Sequence, residues 1–224
     1  SEGSPRSVRP RVVVNATGAG SVGSGYNQGL ELGSTGSRIS SGGGYISITG
    51  AAGPGASAGI YLADNGLIST PAAGGNILLS SDSISIDGTS SVNTTNLASI
   101  VQLTRNDFGT LINLGGADVT DSPVTLGLSD AELDRVQTAN LSIGSGSGTG
   151  NLSITAPISH PNATNITLLP GAGGVSGFNV GTNISLAGTV SIPFGKLNAV
   201  MFSTDPDPFL RLKVAGSVNL TGTT

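Results

Sequence analysis

The chain has no cysteine, no tryptophan and a single histidine in 224 residues. Without cysteine there is no disulfide framework, no thiolate zinc site and no cysteine nucleophile. The same absence lends mild support to export through a bacterial envelope, where unpaired thiols are a liability. Charged residues make up only 10% and aromatic residues 4%. An ordinary globular enzyme of this length carries more large side chains for a compact core. Basic residues are few and scattered and the net charge is −4, which argues against nucleic acid as a partner. No apolar run reaches the roughly 18 residues that a membrane-spanning helix needs. No basic n-region followed by an apolar h-region is present, so a secreted form has its signal removed or outside this sequence.

What is abundant is glycine, 36 residues, with serine, threonine and asparagine. Such a composition can signal disorder, but disorder goes with high net charge and low hydrophobicity. Here mean hydropathy is +0.19, and Ile, Leu and Val recur in register. A core one side chain wide, extended along an axis, reconciles the two facts.

The register is clearest over residues 29–88, a stretch written twice. GLELGSTGSRISSGGGYISITG is followed by GIYLADNGLISTPAAGGNILLSSD. Aligned, Leu30 meets Ile60, Ile39 meets Ile68 and Ile46 meets Ile77, at offsets of 30, 29 and 31 residues. Each copy reads as three short strands separated by Gly-rich turns. A fixed period of this size implies stacked units. Alternation supports the strands: in Tyr45-Ile-Ser-Ile-Thr49 the two Ile point one way and the polar residues the other. The same alternation recurs from Ser83, Asn140, Asn151, Asn165, Asn183 and Val218. The expected fold is all-β, a parallel β-helix or solenoid. An antiparallel sandwich is the alternative, but it calls for tight Asn-Gly hairpins. Only Asn65-Gly66 fits that description. About ten coils, stacked roughly 4.8 Å apart, give a rod on the order of 50 Å.

Residues 1–28 read as an N-terminal arm and lead-in strand, and residues 29–224 as the solenoid. The arm contains Arg6, Arg9 and Arg11 and runs into Val12, Val13 and Val14. A solvated arm is the plainer reading of its charge. Docking of the arm, or of the three valines, on its own solenoid or on a neighbour makes these six residues the candidate assembly contacts. Residues 93–114 admit a short helix or two strands, and strands around Ile100-Val101 and Leu111-Ile112 are preferred. Ser129 followed by Glu132 is a capping box, with Leu128 and Leu133 as its hydrophobic staple. Together they predict one short helical turn over residues 130–136, with Leu133 and Val136 facing inward. Residues 193–224 are richer in Phe, with Phe194, Phe202 and Phe209 available to fill a wider coil or plug an end. The chain stops at Thr224 directly after a strand pattern, without a polar cap. This motivates further repeats, or identical subunits end to end, as partners.

The string Leu128-Ser-Asp-Ala-Glu-Leu-Asp-Arg-Val136, followed by Leu141-Ser-Ile-Gly144 and Gly150-Asn-Leu-Ser-Ile-Thr155, resembles repeats of filamentous-haemagglutinin-type bacterial exoproteins. The pattern GIYLADNGLIST…GGNILLSSD is similar to the same group, and the likeness covers residues 29–88 and 124–192. It implies a right-handed parallel β-helix, secretion or cell-surface location, and a role in adhesion, aggregation or surface structure. Host or matrix glycans or proteins are the partners it implies. The secretion-domain motifs of that group are not recognisable in this chain.

Chemistry-bearing residues are sparse. His160 lies in Ser159-His-Pro161 and reads as a surface turn residue. Asp118, Asp121, Asp130, Glu132 and Asp134 form an acidic concentration that invites comparison with calcium loops. EF-hand spacing and the GGxGxD nonapeptide are both missing, and helix capping explains Asp130 and Glu132 better. Asp205-Pro-Asp207-Pro reads as a rigid acidic turn. Asp64, Asp82 and Asp87 are the carboxylates that a carbohydrate-acting β-helix enzyme would need to bring together, and none has a basic neighbour in sequence. Asn-x-Ser/Thr sequons occur at Asn15, Asn93, Asn140, Asn151, Asn162, Asn165, Asn183 and Asn219. The simpler reading is turn Asn, inward apolar residue and outward hydroxyl, with polar ladders between coils. The expectation is a non-enzymatic structural or adhesive segment without cofactor. A self-assembling fibre subunit is the alternative, and a carbohydrate-acting enzyme comes third.

Overall fold

The computed structural model describes residues 11–20, 27–55, 58–120, 124–145, 147, 150–156, 158–160, 164–169 and 171, and the strand backbone of 183–186, 190–193, 211–214 and 218–221. The first coil carries β1 (Val12–Thr17), β2 (Leu30–Leu32) and β3 (Arg38–Ser40). The second carries β4 (Ile46–Ala51), β5 (Ile60–Leu62) and β6 (Leu67–Thr70), and the third β7 (Ile77–Ser80), β8 (Ile84–Ile86) and β9 (Ser91–Thr94). The fourth is longer: β10 (Ile100–Thr104), β11 (Leu111–Leu114), β12 (Thr125–Leu128), helix α1 (Asp130–Leu133) and β13 (Val136–Gln137). Then follow β14 (Asn140–Gly144), β15 (Leu152–Ile154) and β16 (Ile158–His160). The last strands are β17 (Asn165–Leu169), β18 (Asn183–Leu186), β19 (Val190–Pro193), β20 (Arg211–Val214) and β21 (Val218–Thr221).

All sixteen named strand pairings are parallel, because each strand stacks on its counterpart one coil away. Parallel pairing needs a long crossover, and the remainder of each coil supplies it. Face A is one sheet, β1-β4-β7-β10-β14-β17-β19-β21. Face B begins β2-β5-β8 and face C begins β3-β6-β9-β13. The fold is thus a parallel β-solenoid, and the partners aligned from sequence are the ladder partners: Leu30 with Ile60, Ile39 with Ile68, Ile46 with Ile77. Eight face-A strands at the usual spacing span about 34 Å, shorter than ten coils would give. The difference arises because a coil consumes 24 residues from Ile77 to Val101 and 40 from Val101 to Leu141.

Inward residues form columns. Val14, Ile48, Leu79, Leu103, Ile143 and Leu168 stack on face A, and all but Val14 are buried. Val12 and Val14 belong to this ladder through Ile46 and Ile48, while Val13 is exposed. Arg11 lies over the Tyr45 ring, 5.6 Å from its centroid. Arg6, Arg9, Asp121, Asn162, Asp205, Asp207, Phe194, Phe202 and Phe209 lie outside the described residues.

Corners are stitched by polar side chains. Asp64 and Asn65 adopt left-handed φ of 52° and 69°, a conformation Asn and Asp tolerate better than most side chains. The N–H groups of Asp64, Asn65 and Gly66 donate to Asp87, Thr89 Oγ1 and Ser90 Oγ of the next coil. Elsewhere Asn140 Nδ2 donates to the Leu97 and Ser99 carbonyls and Asn165 Nδ2 to Asn140 Oδ1. Asn93 Nδ2 donates to Gln137, and Thr94 and Thr138 hydroxyls meet at 2.8 Å. Three of the sequon asparagines are therefore rungs of inter-coil ladders.

Candidate functional site

The fourth coil adds one strand to face B. β11 pairs with β15 on one side and with β12 on the other. Its partner β12 sits beside β8 without a ladder between them. The chain between β11 and β12 folds back along the free edge of β12, where Val119 and Thr125 form an antiparallel bridge. Face A has no such interruption: β7, β10 and β14 are continuous. Face B is therefore joined at this level by side chains.

Three charged residues make the joint. Asp118 accepts from the N–H of Gly127 on β12 at 2.7 Å and from the N–H of Ile84 on β8. Glu132 Oε1 accepts from the N–H of Ile86, 3.3 Å away. Arg135 Nη1 donates to the Ile86 carbonyl at 3.1 Å. Ionisable side chains thus take the backbone groups that a neighbouring strand would otherwise satisfy. Between them opens a cleft of about 530 Å³, lined also by Asp87 and Ser129.

The electrostatics of these carboxyls diverge. Burial pushes Asp118 up, with the Glu132 charge adding to it, and the Gly127 and Ile84 N–H groups oppose; the result is about 7. At Asp87 burial acts upward too, but bonds from Thr89, Ser90 and Asp64 outweigh it and hold the carboxyl well below its usual range. The sign of each contribution follows by linkage. The stability from Asp87 is present above the ordinary carboxylate range and is lost as pH falls through and below it. That from Asp118 is present in acid and is lost as pH rises from about 4 towards 7. Thermal melting across pH should therefore show its maximum near pH 4, falling in acid as the Asp87 contribution is lost and falling from there towards pH 7 as the Asp118 contribution is lost.

Ser129 is the N-cap of α1, and its capping box with Glu132 is complete. The staple residues Leu128 and Leu133 are both buried. The helix ends at Leu133, earlier than its sequence suggested, because Val136 enters β13 and pairs with Val92. Ser129→Ala should lower stability by about 1 kcal/mol in urea denaturation, with Ser129→Asp retaining most of it.

The remaining acidic residues do other work. Asp130 accepts from the N–H and hydroxyl of Ser159. Asp134 is raised by burial and by the Asp130 charge, against His160 and Arg135. His160 is not the surface turn residue its sequence suggested. It ends β16 and alternates inward with Ile158, so it is buried. Asp82 Oδ1 accepts from the N–H groups of Asn106 and Asp107, at a different corner from Asp64 and Asp87. Among the described residues no group of three or more His, Asp or Glu is placed to hold a metal ion. Of the proposed calcium residues, Asp118 and Glu132 share the cleft, while Asp130 is bound to Ser159. Sequence reasoning missed the meeting of Asp87, Asp118, Glu132 and Arg135. The usable signal was the extra length of the fourth coil, which announces an insertion on one face.

No helix among the described residues is long and apolar enough to cross a membrane. Comparison with known proteins adds no name to the β-solenoid class: no family model, curated protein or solved structure matches the chain.

Proposed function

We propose that this chain is a non-enzymatic structural or adhesive segment of a secreted or surface-located bacterial protein, working as a stiff β-solenoid rod. The observation that carries this reading is the uninterrupted face-A ladder of eight parallel strands. Such a ladder fixes the spacing of everything displayed outside it. The likeness to filamentous-haemagglutinin-type repeats supports the same role. The cleft supports enzyme chemistry poorly. Glu132 is occupied by Ser129 and by the Ile86 N–H, and Asp118 by two backbone N–H groups.

The fibre-subunit alternative has one observation in its favour. The first coil is an edge: β1, β2 and β3 each pair on one side only among the described residues. Inward Val12, Val14, Leu30, Leu32 and Ile39 are only partly buried there. Negative-stain electron microscopy over a concentration series separates the readings. Short rods of one solenoid length at every concentration fit the passive segment. Fibres of uniform width that lengthen with concentration replace it with the assembling subunit. Compact round particles contradict both.

A further inference from the structure

We propose that the outward side of face A docks a second copy of this chain: two solenoids lie side by side, face A against face A, in a weak and reversible pair. The proposal starts from charge. The eight strands β1, β4, β7, β10, β14, β17, β19 and β21 contain no Asp, Glu, Lys, Arg or His. Strands off this face do carry charge, with Glu31 in β2, Arg38 in β3, and Arg211 and Lys213 in β20. Soluble surfaces normally carry charge on about one residue in three or four. A face without any offers nothing to a charged partner, and nothing on it repels its own copy. Apolar side chains fill part of it. Val13 (48% exposed) and Ile100 (38%) point outward from β1 and β10, and Leu97 (81%) stands at the rim before β10. Leu78 of β7 is outward and half-buried.

The polar groups of the face are already engaged. Gln102 Nε2 donates to the Gly144 carbonyl at 2.7 Å, which lays this long side chain along the sheet. Asn140 Nδ2 holds the Leu97 and Ser99 carbonyls, Asn165 Nδ2 donates to Asn140, and Ser80 Oγ donates to the Arg105 carbonyl. Such groups can be covered without being orphaned, and they lose little freedom on docking. The nearest charges are at the corners and are occupied: Arg11 over Tyr45, Asp82 on two N–H groups, Arg105 on the Thr110 and Gly150 carbonyls. The outward columns repeat at the strand spacing of about 4.8 Å. A second copy brings rows at the same spacing, so a contact made at one rung recurs at the next. A two-fold pair of this kind is closed and uses neither end of the stack. A face about 34 Å long and four residues, about 13 Å, wide buries roughly 900 Å² between two copies. That lies under the ~1,200 Å² of stable complexes, so a dissociation constant on the order of 100 µM is expected.

Sedimentation equilibrium of the intact chain, from about 10 µM to about 1 mM, tests this. The parent chain should pass from monomer to dimer and stop there. Leu78→Lys sets a cation on a face that offers it no carboxylate, and should raise the dissociation constant at least about tenfold. Its urea midpoint should stay in place, because Leu78 points outward and the lysine stem covers the same surface. Thr167→Lys, outward on β17 of the same face, should act likewise. Ser69→Lys, outward on face C, is the control and should dimerise as the parent does. Four results would each overturn the proposal. The parent chain could stay monomeric throughout, or both face-A variants could dimerise undiminished. Ser69→Lys could weaken the dimer as much as they do. Growth beyond two copies that neither face-A variant stops would place the contact at the ends of the stack instead.

Discussion

Leu103→Ala should lower the unfolding free energy by about 2–5 kcal/mol, towards the upper end of that range. Leu103 is fully buried in β10, between Leu79 one coil below and Ile143 one coil above. In an ordinary core, neighbours relax into part of the space that a truncated side chain leaves. Here those neighbours ride on strands whose separation is set by the ladder, near 4.8 Å. They cannot close the gap without breaking backbone hydrogen bonds, so the cavity term persists. The outward residue Ser47, on the same face, is the control: Ser47→Ala should change stability by no more than about 0.5 kcal/mol. Urea denaturation of the two variants measures the contrast. Comparable losses at both positions would mean that the columns do not carry the fold.

The second large effect is expected at Gly127. A Cβ built there would lie 2.0 Å from the Ala117 carbonyl carbon and 2.4 Å from the Asp118 nitrogen. Both are backbone atoms, so neither can swing aside as a side-chain tip would. Gly127→Ala must push the folded-back segment off β12. That would cost the bond between the Gly127 N–H and Asp118, and with it the bridge to Ile84. A loss of roughly 3 kcal/mol is expected, within the range for disrupted buried hydrogen-bond networks. The amides of Ile84 and Gly127 should then exchange faster than in the parent chain. A stable Gly127→Ala chain with full protection at Ile84 would contradict the geometry.

Much of the fold could be read from residues 29–88, because a parallel solenoid writes its register into the sequence. Leu30, Ile39 and Ile46 announce their partners directly, since the same column needs the same kind of side chain in each coil. The capping box at Ser129 and Glu132 was legible for a different reason, being a local pattern whose contacts span three residues. The end of that helix was not legible. Val136 fits an inward helical position as well as an inward strand position, and its pairing with Val92 is 44 residues away. His160 was misplaced because a histidine before proline suggests a turn, whereas the alternation from Ile158 carries it inside. The cleft could not be assembled from sequence at all. Asp87, Asp118 and Glu132 meet only because β12 is inserted on one face and not the others, and no periodic pattern marks which face receives an insertion.

The stack itself is most directly tested by one distance. Ser47, Leu78, Gln102, Ser142 and Thr167 form an outward face-A column, each in register with the next. Ser47 and Thr167 are therefore four strand spacings apart, about 19 Å between Cα atoms, despite their separation in sequence. The chain has no native cysteine, so Ser47→Cys with Thr167→Cys can be spin-labelled cleanly. Double electron–electron resonance should give one narrow distribution centred near 20 Å, allowing for the label tethers. A broad distribution, or a centre beyond about twice that distance, would contradict a continuous solenoid and the rod-like role built on it.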